Sequence, residues 1–280
     1  MTTGWLSSVY GLFSYLPVEF LQVQFMQRAL LGMLILAPLC ALIGTLVVQF
    51  RMAFFADAVS HSAFTGIALG LLLGIDPWVS LLGFSVLVGI GTMRLKRTSE
   101  MAMDTTLGVV FSTSIALGLA IISAKKGLAK SLPVFLYGDI LAISDGDILL
   151  GFGLLLITVV FMAVAFNHLL LIGLHEDLAR VRGIPVDLLE TLFAVLVALV
   201  VGFSIRAVGI LLVTAFLVIP AASARNLAND VRGHTRLSVL LSLVSAVTGL
   251  YISVRFDTPA GAAMILCSSL IFALSLLRSR

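Results

Sequence analysis

The fold class predicted from the sequence is all-α: a polytopic transmembrane bundle of eight or nine spanning helices. Three observations predict it. The 280 residues are 60% hydrophobic and only 11% charged, and their mean hydropathy is +1.18, far beyond what a soluble domain can bury. Apolar runs approaching the roughly 20 residues of a crossing helix recur from end to end. The polar breaks between them are too short for a soluble domain, so the division is 1–27 as an N-terminal segment and 28–280 as one transmembrane domain.

Residues 1–27 interleave Pro17, Glu19, Gln22, Gln24 and Gln27 with aromatics and show neither a basic leader nor a small-residue cleavage site. They read as an interfacial, helical lead-in. Spans follow near 28–50, 57–74, 78–93, 103–124, 148–167, 187–205, 207–224, 237–254 and 259–277. Loops that stay in the cytoplasm are enriched in Lys and Arg. Placing 51–56, 94–102, 168–186, 225–236 and the C-terminus there accounts for most of the 17 basic residues. Arg28, Arg206, Arg255 and the stretch "KKGLAK" at 125–130 then face outward against the bias. A net charge of +3 on scattered carriers gives no nucleic-acid surface. Cys40 and Cys267 lie in apolar runs without CxxC spacing and read as core side chains.

The second span opens with "FFADAVSHSAFTGIALGLLLG", residues 54–74. Asp57 and His61 stand at i and i+4, stacked on one helix face with Cβ atoms roughly 6 Å apart. One oxygen and one imidazole nitrogen suit a borderline divalent ion, Zn²⁺, Mn²⁺ or Fe²⁺. Ionisable groups are expensive inside a span and mark pathways there. The structural alternative makes Asp57 a helix N-cap and His61 a partnered bundle residue. Ser60 is a further candidate oxygen donor, or a cap. Gly66, Gly70 and Gly74 form a small-residue stripe for close helix packing, about 140° around the helix from His61.

Between spans, "SLPVFLYGDILAISDGD" at 131–147 reads as a short helix or re-entrant piece at the outer boundary. The polar break "GLHEDLARVRGIP", 173–185, places Glu176 and Asp177 before Arg180 and Arg182 and ends at Gly183 and Pro185, the pattern of a short capped helix. Leu174, Leu178 and Val181 share its apolar face; the alternative is a solvated loop. In the 207–224 span Pro220 precedes Ala221, Ala222, Ser223 and Ala224, a kink that serves as a hinge or is static. The chain has no GxxxxGK[ST], hence no Walker loop of its own, and no HExxH.

Six stretches in order, "FFADAVSHSAFTGIALG", "AMDTTLGVVFSTSIALGLAI", "LYGDILAIS", "HEDLARVRGI", "VGILLVTAFLVIPAASAR" and "DTPAGAAMIL", resemble the integral membrane permeases of ATP-binding-cassette uptake systems for zinc, manganese and iron(II). The resemblance implies a multi-pass permease of the plasma (inner) membrane that pairs with a second copy, as a homodimer. It also implies two separate ATPase subunits at the cytoplasmic face, which bind the ATP, and an external metal-binding protein that delivers the ion. The permease itself is then not an enzyme and holds no permanent cofactor. Residues 173–185 become the coupling helix, with Glu176, Asp177, Leu178, Arg180, Arg182 and Gly183 seated on the ATPase. Asp139 in "GDILA", and "DTPAG", resemble the zinc-uptake members, whereas manganese members more often carry serine at the position of Asp139. Ser62-Ala63-Phe64-Thr65 departs from the family's small-residue and proline pattern, which bears on local helix geometry. The competing function class is a secondary metal transporter driven by an ion gradient.

Overall fold

A computed structural model describes residues 22–98, 101–124 and 132–278. The expected lead-in therefore lies mostly outside the described residues, and "KKGLAK" at 125–130 wholly so. The described residues form eleven helices and no strand: α1 Gln24–Gln49, α2 Ala53–Leu73, α3 Pro77–Thr98, α4 Met103–Ala124, α5 Leu132–Tyr137, α6 Asp145–Leu174, α7 Glu176–Val181, α8 Val186–Val208, α9 Val213–Leu227, α10 Val231–Phe256 and α11 Ala260–Arg278. A 3₁₀ turn, Ile140–Ala142, follows α5. Eight of the helices are long and apolar enough to cross a bilayer. The ninth expected span, 207–224, is instead the 15-residue α9, about 22 Å long against a hydrocarbon core of about 30 Å. A non-helical turn at 209–212 separates it from α8.

Local chemistry sets the helix ends. Gly74, at φ +71°, closes α2 in the left-handed region. Asp76 then caps α3, its Oδ1 accepting the amides of Trp78 at 2.8 Å and Val79 at 3.2 Å, with Pro77 at the first helical position. At the start of α6, Ser144 and Asp147 form a reciprocal capping box.

The long-range polar contacts identify the two ends of the bundle. One end gathers the basic loops. Lys96 meets Glu190 at 2.8 Å, the Arg97 guanidinium lies against Asp187 at 3.5 Å, and Arg225 donates to the Val48 carbonyl at 3.3 Å. The opposite end holds Arg28 and Arg206, two outliers of the charge bias, and both are neutralised locally. Arg28 pairs with Asp145 at 2.9 Å, while Arg206 pairs with the buried Asp147 and lies 5.2 Å over the Trp78 ring. Trp78 in turn packs on Phe135 with ring centroids 4.9 Å apart.

The core runs along α1, α2 and α8, which are buried almost all round, whereas α4, α6 and α11 turn leucines, valines and phenylalanines outward. The approach is closest where side chains are smallest. A Cβ on Gly44 would meet the Leu217 carbonyl oxygen of α9. Pro220 in α9 is buried and, having no N–H, cannot donate to the Phe216 carbonyl. Pro38 plays the same part in α1.

Candidate functional site

α2 carries the candidate ligands. It starts at Ala53, so Asp57 is one turn inside it, about 6 Å along the axis, and His61 about 12 Å. Asp57 is not the N-cap; that position is Met52. The helix is also continuous through Ser62–Thr65, where Ser62 donates to Val59 of its own backbone at 2.8 Å and Thr65 donates across to the Ser114 carbonyl of α4.

Three contacts hold the helix in place. On the α3 side, a Cβ at Gly66 would come within 2.8 Å of Leu81 Cα, and one at Gly70 within 3.0 Å of Pro77 Cα, so both are seams of backbone against backbone. Gly74 is not: a Cβ added there would meet nothing within 4 Å, and the third glycine of the stripe is a helix terminator. On the α4 side, Gly118 fits against Phe64 and Thr65. The third contact comes from Ser60, which is fully buried and donates to the Ile210 carbonyl at 2.7 Å. The Ser60 hydroxyl is therefore engaged on the packed side of the helix. Adjacent residues diverge by about 100° on a helix, so a hydroxyl beside His61 in sequence points into the packing.

Asp57 and His61 occupy the face left open, with side chains 37% and 27% exposed. His61 Nε2 lies 3.7 Å from Asp57 Oδ1, too long for a hydrogen bond. Two bonds of about 2.0–2.2 Å at a tetrahedral angle would set such donors about 3.4 Å apart, and an octahedral right angle about 3 Å. The pair therefore stands a few tenths of an ångström from a tetrahedral bite. The edge of the Phe111 ring from α4 packs on His61, with centroids 5.3 Å apart, and fixes its position on one side. Among the described residues no group of three or more His, Cys, Asp or Glu side chains comes together as a metal shell.

At the basic end a cavity of about 330 Å³ opens among the turn between α1 and α2, α3, α4, α6 and α8, with Met52, Met93, Lys96, Met103, Asp104 and Glu190 in its wall. At the opposite end a depression of about 350 Å³ is lined by Tyr137, Asp139, Ser253, Asp257, Thr258 and Gly261, among others. Asp139 caps the 3₁₀ turn beside it, accepting from the Leu141 amide at 2.9 Å. Backbone bonds join this outer segment to the 208–213 turn: Asp139 donates to Arg206 at 3.0 Å, and Ile210 donates to Phe135 at 3.1 Å. Since the Ile210 carbonyl takes the Ser60 hydroxyl, α2 is tied to the outer segment through a single residue.

The polar break at 173–185 is a helix, as its charge order predicts. α7 is anchored by the fully buried Ala179, and Gly183 turns the chain at φ +74°. Leu174, Leu178 and Val181 are all exposed, Val181 by 85%, so the segment presents an apolar peg. Asp177 and Arg182 are exposed beside it. Arg180 donates to Glu176 and to Asp187, both at 2.9 Å. These bonds, that to Asp187 foremost, push its guanidinium further above its ordinary value, and it stays charged throughout. Sequence reasoning missed the contacts of Lys96 and Arg97 with Glu190 and Asp187, because no local pattern relates residues about ninety positions apart.

The chain is similar to known proteins over nearly its whole length. A family model described as the ABC 3 transport family matches residues 22–279. The high-affinity zinc uptake system membrane protein ZnuB of Haemophilus influenzae is 31% identical over 253 residues, covering 89% of this chain and 96% of the relative. The manganese import system permease protein ScaB of Streptococcus gordonii is 31% identical over 261 residues, covering 92% and 94%. The solved structure of PsaBC from Streptococcus pneumoniae in complex with Fab superposes with a TM-score of 0.80 at 30% identity, covering 92% of this chain and 94% of that one.

Proposed function

The chain belongs to the ABC 3 transport family, and from that premise we propose that it is the permease subunit of an ATP-driven importer of divalent transition metal ions, with Zn²⁺ as the preferred cargo. The observation that carries the proposal is the Asp57–His61 pair. It is the partly exposed ionisable face of a helix held on other sides by α3, by α4 and by the Ile210 carbonyl, and an apolar wall keeps such groups at a cost that function repays. Two donors hold an ion loosely enough to release it. Water or the second permease copy completes the shell. An aspartate oxygen and an imidazole nitrogen form a donor set that suits Zn²⁺.

In this reading the basic end faces the cytoplasm, where α7 with its exposed leucines and Val181 seats on a separate ATPase subunit, and the depression around Asp139 and Asp257 faces the metal-delivering protein. ATP binding outside the chain then tilts helices around the Asp57–His61 face by alternating access. The test replaces Asp57 or His61 with Ala in cells lacking other importers and follows radiolabelled Zn²⁺ and Mn²⁺ uptake. Loss of Zn²⁺ uptake in both variants is expected; unchanged uptake in both would remove the pair from the pathway.

A further inference from the structure

Asp187 opens α8 and stands between two cations from different elements. Its Oδ1 accepts from Arg180 of α7 at 2.9 Å and lies 3.5 Å from Arg97 Nε in the last turn of α3. Arg97 also donates to the Asp187 carbonyl and, at 2.7 Å, to Thr191 Oγ1. The neighbouring Lys96 donates to Glu190 at 2.8 Å, inside the wall of the cavity at the basic end. Two consecutive basic residues of α3 thus grip the first turn of α8 from two directions. Among the described residues Asp187 is the carboxylate that meets both the exposed peg and α3.

The fold does not need this carboxylate for either attachment. α7 is already fastened by the buried Ala179 and by the Ile184 amide donating to the Ala179 carbonyl at 3.1 Å. α3 already packs on α8 along its length, at Gly89 against Ala194 and at Gly202 against Leu81 and Leu82. Exposed ion pairs add little stability. What Asp187 adds is a direct tie from the peg to α3.

We propose that Asp187 is the positioning residue that transmits displacement of α7 to the end of α3, and with it to the Lys96–Glu190 wall of the cavity. The proposal rests on the permease reading, in which α7 receives the push. A push on the peg moves Arg180, the shared carboxylate moves with it, and Arg97 follows. An intact latch therefore shows in how much transport each hydrolysed ATP delivers, not in whether ATP is hydrolysed.

The experiment reconstitutes the permease in lipid vesicles with the ATP-hydrolysing subunits that co-purify with it, and measures Zn²⁺ moved per ATP. Asp187→Asn and Arg97→Gln are expected to keep hydrolysing ATP while moving about fivefold less ion per ATP, the effect of losing a modest coupling energy. Asp187→Glu, which keeps the charge, is expected to restore most of it. With a working wild type, an unchanged ratio in both charge-removing variants overturns the latch and leaves the permease standing. A co-purified wild type that moves no metal ion overturns the permease reading and the latch with it.

Discussion

Replacing Gly66 with Ala tests whether α2 is held at a distance set by its neighbour's backbone. The added Cβ would lie 2.8 Å from Leu81 Cα, 2.9 Å from Phe84 Cβ and 3.0 Å from the Ser80 carbonyl oxygen. Carbon atoms prefer about 3.5–4.0 Å, so relief requires α3 to retreat by roughly 0.5–1 Å. Two of the three atoms are backbone, and no rotamer change can move them. Overpacking of this kind costs about 1–3 kcal/mol, while Ala gains up to about 1 kcal/mol over Gly in helix propensity. Gly83→Ala in α3 isolates the second effect, since nothing lies within 4 Å of its new Cβ. The difference between the two variants is then the steric cost alone. At about 2–4 °C per kcal/mol for chains of roughly this size, Gly66→Ala is expected to melt several degrees below Gly83→Ala in detergent. Indistinguishable midpoints would refute the seam and return Gly66 to the status of a tolerated small residue.

Two further outcomes follow from the polar contacts. Ser60→Ala removes a buried hydroxyl from the Ile210 carbonyl and is expected to lower stability by about 0.6–1.7 kcal/mol while calorimetric Zn²⁺ binding persists; lost binding would restore Ser60 as a ligand. Asp147→Asn leaves Arg206 without its countercharge and breaks the cap of α6. Because Arg206 is a third exposed, the cost is about 1–3 kcal/mol, below that of a fully buried pair, and is read as a lower unfolding midpoint. No change there would mean that the cation–π contact to Trp78 alone holds the outer segment.

The sequence alone determined the features that depend on chemistry along a few turns. Length and hydropathy of each run made the all-helical bundle and eight of its spans legible, because a bilayer forces every crossing backbone to satisfy its own hydrogen bonds. Charge order and Gly183 marked α7, and the i, i+4 spacing put Asp57 and His61 on one face. The same spacing misassigned Gly74, because periodicity records which side a residue occupies and not whether a neighbour is there; it lies beyond the reach of α3 and ends the helix.

Tertiary structure decided the rest. Whether Ser60 meets an ion or the Ile210 carbonyl depends on where a turn 150 residues away comes to rest. Arg206 could be seen as a break in the charge bias, but only folding brings Asp147 to it. Asp187 joins Arg97, ninety residues away, for the same reason. An ion pair between distant elements leaves no periodic trace, since its two halves need agree only in space. The span that fell short, α9, was decided in the same way: its apolar run is continuous in sequence, and Ile210, which donates to the Phe135 carbonyl and accepts from the Ser60 hydroxyl, lies in a turn outside the helix before it resumes.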